Sequence, residues 1–412
     1  MATLGAAVTR DVKVIGLVCA AHMMSHVYFF VLPPLFPLLK ADLDVSYTLL
    51  GLCMTAFGVV AGIGQTPVGF LVDRIGGRPV LIAGFVLEAG SVAMMGLADS
   101  YWQILVLFAL AGAGHTVFHP ADFAILAASV PKGRLGRAFA THSLAGTIGF
   151  ALTPALMVGL AEAWGWRGAF LAIGAVGLAL SVLMWAQSGL LDDHRGARDP
   201  AMAGRPGAAP ARVGETVALL FSLPILMCFL YYVVQISAVG GLRSFFVAAM
   251  DAVHQTPLIV VNAALTGLLV GTSVGMFVGG FVADRFGPSM TVAALTLIPA
   301  GALVVLVGAV TLPDAMLFAA LAASGFLQGV LTPSRDLLLR TVTPEGSIGR
   351  VIGFTSSGAN LGGGLVPLLF GWFLDTGNPA LVFWVTAALV AVAFLTFVTV
   401  KGRFLPAAAG RS

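Results

Sequence analysis

Apolar runs of about 20 residues recur along the whole length of this chain, and each is long enough to cross a bilayer as an α-helix. Of its 412 residues 59% are hydrophobic and only 9% are charged, with a mean hydropathy of +1.00. Soluble globular domains carry about a quarter charged residues. Charge this sparse cannot coat a water-facing surface, so the sequence specifies an all-α membrane protein. Charges and turn residues divide it into twelve spans: 13–39, 47–72, 79–98, 102–129, 138–161, 166–188, 217–249, 258–283, 289–310, 315–340, 349–374 and 379–400. The 51 glycines and 21 prolines are numerous inside them, which membrane helices tolerate because neighbouring helices satisfy the freed backbone groups. The first span is too long for the apolar core of a cleavable leader, and none is expected.

Lysine and arginine set the orientation. Lys40 and Arg167 are the only cations in loops that follow odd-numbered spans, and Arg243 and Arg335 lie within spans. The rest of the 21 Lys and Arg fall at the termini or in the opposite loops. Both termini are therefore expected to be cytoplasmic, in a multi-pass protein of the cytoplasmic (inner) membrane. Cys19, Cys53 and Cys228 sit in three different spans, which supports neither a disulfide framework nor a zinc-finger spacing.

The chain repeats itself. Gly69-Phe-Leu-Val-Asp73-Arg74-Ile-Gly76 returns as Gly280-Phe-Val-Ala-Asp284-Arg285-Phe-Gly287 at an offset of 211 residues. At an offset of 213, Gly112 pairs with Gly325, Pro120 with Pro333, Pro131 with Pro344, Arg137 with Arg350 and Pro154 with Pro367. This is a duplicated six-span unit in parallel orientation, the class in which substrate binds near the midplane between halves. The expected domains are a bundle at 1–189, a Gly-, Pro-, Ala- and Arg-rich cytoplasmic linker at 190–214, and a second bundle at 215–412.

With these motifs the chain resembles the major facilitator superfamily. Its most specific element is the loop GFLVDRIGGRPVL, in which Gly69, Leu71, Asp73, Arg74, Gly76 and Arg78 match the family pattern. Gly77 departs from it where a second cation is usual, and Pro288 and Ser289 replace the trailing cations of the second copy. The resemblance implies two pseudo-symmetric six-helix bundles. It also implies a cytoplasmic gate of Asp73, Arg74, Arg78, Asp284 and Arg285, with Asp73 reaching a helix N-terminus of span 11. Within the superfamily, His119-Pro120 in span 4 and a histidine-bearing span 1 look most like the fosmidomycin-resistance-type drug exporters. The arginine usual in span 4 is missing, because Phe108 stands there.

A charge at the middle of a span costs roughly 2.5–3.5 kcal/mol on insertion scales and marks a functional candidate. The charged candidates are Glu88, Asp122, Arg243, Arg335 and Asp336, joined by His22, His26, His115, His119 and His142. His115, His119 and Asp122 are spaced i, i+4, i+7 and would share one face of a continuous helix. Helix rise places His22 and His119 at roughly 14–15 Å from the cytoplasmic ends, and His26 and His115 at roughly 20–21 Å. Histidine titrates near neutral pH, so His119, Asp122, His142 and Glu88 are the expected proton-coupling group. His22, His26, His115, Gln328, Arg335 and Arg243 are the expected substrate-cavity residues. At the 213 offset Arg335 is the image of Asp122, and the two are expected to pair or to compete for substrate; Asp336 is the alternative partner of Arg335.

The function expected from these residues is proton-coupled efflux of small organic compounds by a secondary transporter that works as a monomer. The alternative is proton-coupled uptake of an organic anion, and a third is a metal or metal-chelate carrier using the two His-x-x-x-His segments. Enzyme activity, nucleic-acid binding, a resident metal and a cofactor are not expected. No G-x-x-x-x-G-K-[ST] loop occurs to bind ATP, so the proton gradient is the expected energy source.

Overall fold

The computed structural model describes residues 2–191, 213–344 and 347–404. Its regular elements are helical, and no strand occurs among the described residues. The chain divides into two compact units, Met1–Arg205 and Pro206–Ser412. Most of the linker expected at 190–214 lies outside the described residues, with its four arginines.

In the first unit the single crossing expected at 13–39 is divided. Helix α1 (Ala2–Phe29) ends before the 3-10 turn Pro33–Leu35, and α2 (Phe36–Leu43) follows. Pro33, Pro34 and Pro37 lack the N–H a continuing helix needs. Helix α3 (Tyr47–Ile75) starts on Ser46, whose hydroxyl accepts from Leu49 N at 3.1 Å. Helix α4 (Gly77–Met95) follows after Gly76 at φ 95°.

The fourth span is broken. Helix α5 (Tyr101–His115) and α6 (Phe118–Ser129) are separated by a turn at Thr116-Val117. Pro120 cannot donate to Thr116 O, and its ring crowds that carbonyl. Thr116 Oγ1 also turns back to Ala113 O at 2.7 Å. Spans five and six form one run, α7 (Lys132–Ala186), interrupted at Gly165 (φ 69°, ψ 170°).

The second unit comprises α8 (Val213–Leu220), α9 (Leu223–His254), α10 (Leu258–Phe286), α11 (Met290–Ala309), α12 (Asp314–Val342), α13 (Ile348–Asp375) and α14 (Leu381–Phe404). The repeat holds at element boundaries: α10 begins and ends 211 residues after α3, and α12 begins and ends 213 after the start of α5 and the end of α6. Unlike its counterpart, α12 runs on through Pro333.

Eleven stretches of the described residues are long and apolar enough to cross a membrane, counting the 54 residues Gly133–Ala186 as one. As a straight rod those 54 residues would reach about 80 Å, far beyond a hydrocarbon core of about 30 Å. The turn at Gly165 makes them two crossings, which completes twelve. Large apolar side chains such as Ile63, Phe70 and Phe277 stand exposed on the helices, as a lipid-facing surface requires.

Candidate functional site

Small residues bring the helices of the first unit close enough for polar side chains to meet. A Cβ on Gly114 of α5 would lie 2.6 Å from Glu88 N and 2.6 Å from Gly84 O on α4. On α7, Gly149 lies against Met23 O of α1, and a Cβ on Gly146 would sit 2.9 Å from ring atoms of both His22 and His26. Such contacts hold membrane helices at the short separations where side-chain hydrogen bonds form between them.

Asp122 of α6 is fully buried. His142 Nε2 of α7 lies 2.8 Å from its Oδ2, and His22 Nδ1 of α1 lies 3.3 Å from the same oxygen. The His22 and His142 rings stack with centroids 3.6 Å apart. His22 Nδ1 is at ion-pairing distance but makes no hydrogen bond, and Asp122 Oδ1 has no hydrogen-bond partner. These donor atoms all lie within 4.8 Å of one another, within reach of a single metal ion. Two ligands on one tetrahedral metal stand about 3.3 Å apart for bonds of 2.0–2.1 Å. The 2.8 Å His142–Asp122 contact is a closed hydrogen bond, which suits the sharing of a proton.

A second acid–histidine pair lies one layer away. His115 Nδ1 at the end of α5 is 3.0 Å from Glu88 Oε1, and Glu88 is fully buried. Glu88 Oε2 has no hydrogen-bond partner. Phe57, Phe118 and Phe29 surround the His115 ring with centroids at 5.2, 5.8 and 6.0 Å. Glu88 also faces α1, where the buried Tyr28 hydroxyl donates to Ile173 O at 3.0 Å.

The break at Thr116-Val117 disperses the stripe expected in span 4. His115 turns to α4, Asp122 turns inward to α1 and α7, and His119 is exposed. The depth pairing of span 1 with span 4 is visible in the rings. The His22 and His119 centroids are 5.4 Å apart, and those of His26 and His115 are 6.2 Å apart. Of the expected His119–Asp122–His142 group, His142 bonds the Asp122 carboxylate and His119 stands beside the His142 ring, with centroids 6.3 Å apart. His22, expected among the substrate-cavity residues, joins them at the same carboxylate. The Glu88–His115 contact carries no sequence signal, because it joins residues on two helices whose rotation is set by packing.

Residues 18–251 and 232–410 match the Major Facilitator Superfamily. The chain belongs to that family. Major Facilitator Superfamily proteins are membrane transporters, not enzymes. The fosmidomycin resistance protein of Escherichia coli (strain K12) is 24% identical over 395 residues, covering 93% of this chain and 91% of that one. A probable L-galactonate transporter of the same organism is 28% identical over 144 residues, covering 35% of this chain and only 32% of that one. Among solved structures, a bacterial homolog to the human lysosomal transporter Spinster, inward-facing and occupied, has the same fold. Its TM-score is 0.76 at 14% identity, over 97% of this chain and 98% of that one.

The second unit of this transporter holds a different polar set. Arg335 reaches Asp336 Oδ1 with Nη2 at 2.7 Å and Nε at 2.8 Å. Tyr232 donates to the same oxygen at 2.9 Å, and the guanidinium lies over its ring. The pairing expected between Asp122 and Arg335 would join the two units; within its own unit each side chain already has a partner. Gln328 is buried and donates to Ser324 Oγ at 3.3 Å. Arg243 is partly buried on α9, next to Gly241, whose Cα faces the Phe370 ring. Of the residues expected at a cytoplasmic gate, Asp73, Arg74, Asp284 and Arg285 are exposed, and Arg78 donates to Ser188 O at 3.3 Å.

Proposed function

We propose that this chain is a proton-coupled secondary transporter that exports small organic compounds across the cytoplasmic membrane by alternating access. The observation that carries the reading is Asp122, a fully buried carboxylate held between His142 at 2.8 Å and His22 at 3.3 Å. An ionised acid in a span is costly, and two imidazoles at one carboxylate let it alternate between neutral and charged pairings. Full-length similarity to the fosmidomycin resistance protein favours export. His119 is the exposed residue that passes the proton, and Asp73, Arg74, Arg78, Asp284 and Arg285 act at a cytoplasmic gate. Both termini lie in the cytoplasm, and the protein works as a monomer without a cofactor.

The test is fosmidomycin transport in everted vesicles under an imposed proton gradient. Accumulation that collapses with the gradient is expected, and accumulation indifferent to it would sink the coupling. Proton-coupled uptake of an organic anion is the second reading. It is favoured by Arg335 beside Tyr232 and by partial similarity to probable L-galactonate and sulfoacetate transporters. Fosmidomycin and sulfoacetate supplied to right-side-out and everted vesicles separate the two directions.

A further inference from the structure

We propose that the N-terminal unit carries two separable protons, one shared by Glu88 and His115 and the other by Asp122 with His142 and His22, and that His26 passes protons between them. The inference rests on the proton-coupled reading and extends it to a stoichiometry and a path.

Each acid is fully buried and uses one oxygen for a histidine: Glu88 Oε1 for His115 at 3.0 Å and Asp122 Oδ2 for His142 at 2.8 Å. The second oxygen of each, Glu88 Oε2 and Asp122 Oδ1, is buried without a hydrogen-bond partner. One proton per acid–histidine group, on either member, leaves that group electrically neutral. Removing it leaves a net negative charge in the span, with an oxygen that nothing stabilises. Each group therefore binds one proton as a unit, independently of where in the pair the proton resides.

His26 stands between the groups. Its ring centroid is 4.5 Å from that of His22 and 6.2 Å from that of His115, and its buried Nδ1 has no partner. A Cβ on Gly146 would lie 2.9 Å from Nε2 of both His22 and His26, so the two nitrogens converge on the same point of α7. His22 and His26 are one turn apart, so the Glu88 group lies about 6 Å farther along α1 than the Asp122 group. The titratable groups facing the two acids are His22, His26, Cys19 and Tyr28 from α1, His115 from α5, His119 from α6 and His142 from α7. The aligned positions in the second unit are Gln328 for His115, Thr332 for His119, Arg335 for Asp122 and Thr355 for His142, so the store belongs to one half.

Infrared difference spectroscopy of the purified full-length protein in nanodiscs, titrated with pH, reads protonated buried carboxyls without any substrate. Two such bands are expected. Glu88→Gln should remove one and Asp122→Asn the other, and isotope-labelled glutamate should shift the first without any substitution. A Glu88→Gln spectrum matching the wild type, or a wild-type spectrum with no glutamate band, overturns the two-proton store. His26→Phe should leave both bands and slow deuterium exchange at Glu88 by roughly a hundredfold, the size of a lost relay group; an unchanged rate removes His26 from the path. Both bands in a protein whose fosmidomycin flux ignores the proton gradient would keep the store and overturn only the coupling reading.

Discussion

Glu88 and His115 meet at 3.0 Å because Gly84 and Gly114 let the backbones of α4 and α5 touch. A side chain on Gly114 has nowhere to go: its Cβ would lie 2.6 Å from Glu88 N and 2.8 Å from Glu88 Cβ. Gly114→Val should push the helices apart and cost about 1–3 kcal/mol, the usual penalty for overpacking. Gly90→Ala on the same α4 helix has open space around it and should be neutral. Thermal unfolding of the detergent-solubilised variants separates the two, and equal midpoints would show that this contact does not set the helix spacing.

Tyr28 and Gly177 form a comparable pair between α1 and α7. The Tyr28 hydroxyl donates to Ile173 O at 3.0 Å and occupies the space a side chain on Gly177 would take. Tyr28→Phe should cost about 0.5–1.5 kcal/mol, the net worth of one hydrogen bond. Gly177→Ala should cost more, because the added methyl meets that hydroxyl. The double variant should be less destabilised than the sum of the singles, since removing the oxygen relieves the clash. Additive losses in a chemical-denaturation cycle would count against the contact.

Asp122→Asn keeps the shape of the side chain and removes its ionisable oxygen. If Asp122 couples transport to protons, gradient-driven fosmidomycin accumulation should fall by a hundredfold or so, the size of a lost acid–base group. Counterflow exchange, which needs no gradient, should persist. Equal losses in both assays would assign Asp122 a structural role.

The twelve crossings and the duplication were legible in the sequence because apolar run length and a fixed offset are properties of the chain alone. The histidine layers were legible as well, since depth follows from residue count along a helix. Rotation about the helix axis was not. Pro120 and Pro333 occupy the same position of the repeat, yet one lies beside a break and the other within a continuous helix. The neighbours differ: Thr116 bonds its own helix carbonyl, whereas its counterpart Gly329 packs against Thr272 O of α10. On the broken helix His115 meets Glu88 and Asp122 meets His22 and His142, an outcome no spacing rule contains.

Arg335 and Asp336 are sequence neighbours, and the Asp336 side chain is 55% exposed. The Arg335 side chain is only 17% exposed, but with its partner this open the pair is worth under about 1 kcal/mol. Arg335→Gln should therefore barely change the unfolding midpoint. It should lower the flux of an anionic probe such as sulfoacetate by about tenfold if the guanidinium meets substrate, the factor that corresponds to one charge-assisted hydrogen bond of about 1.4 kcal/mol. A fall in stability with unchanged flux would make the arginine a packing residue.

Gly165 isolates backbone conformation from packing. Its φ of 69° with ψ of 170° lies in a region open almost only to glycine. A Cβ there would meet nothing within 4 Å, so any loss on substitution comes from the backbone itself. Gly165→Ala should cost about 1–3 kcal/mol, although it adds a methyl group into open space. Gly159→Ala, six residues earlier on the same helix and equally uncrowded, should be neutral or slightly stabilising, because alanine favours helix over glycine by about 1 kcal/mol. Opposite signs in the two unfolding midpoints would establish that α7 folds as two crossings hinged at Gly165. Matching signs would mean the run tolerates a helical conformation through that point.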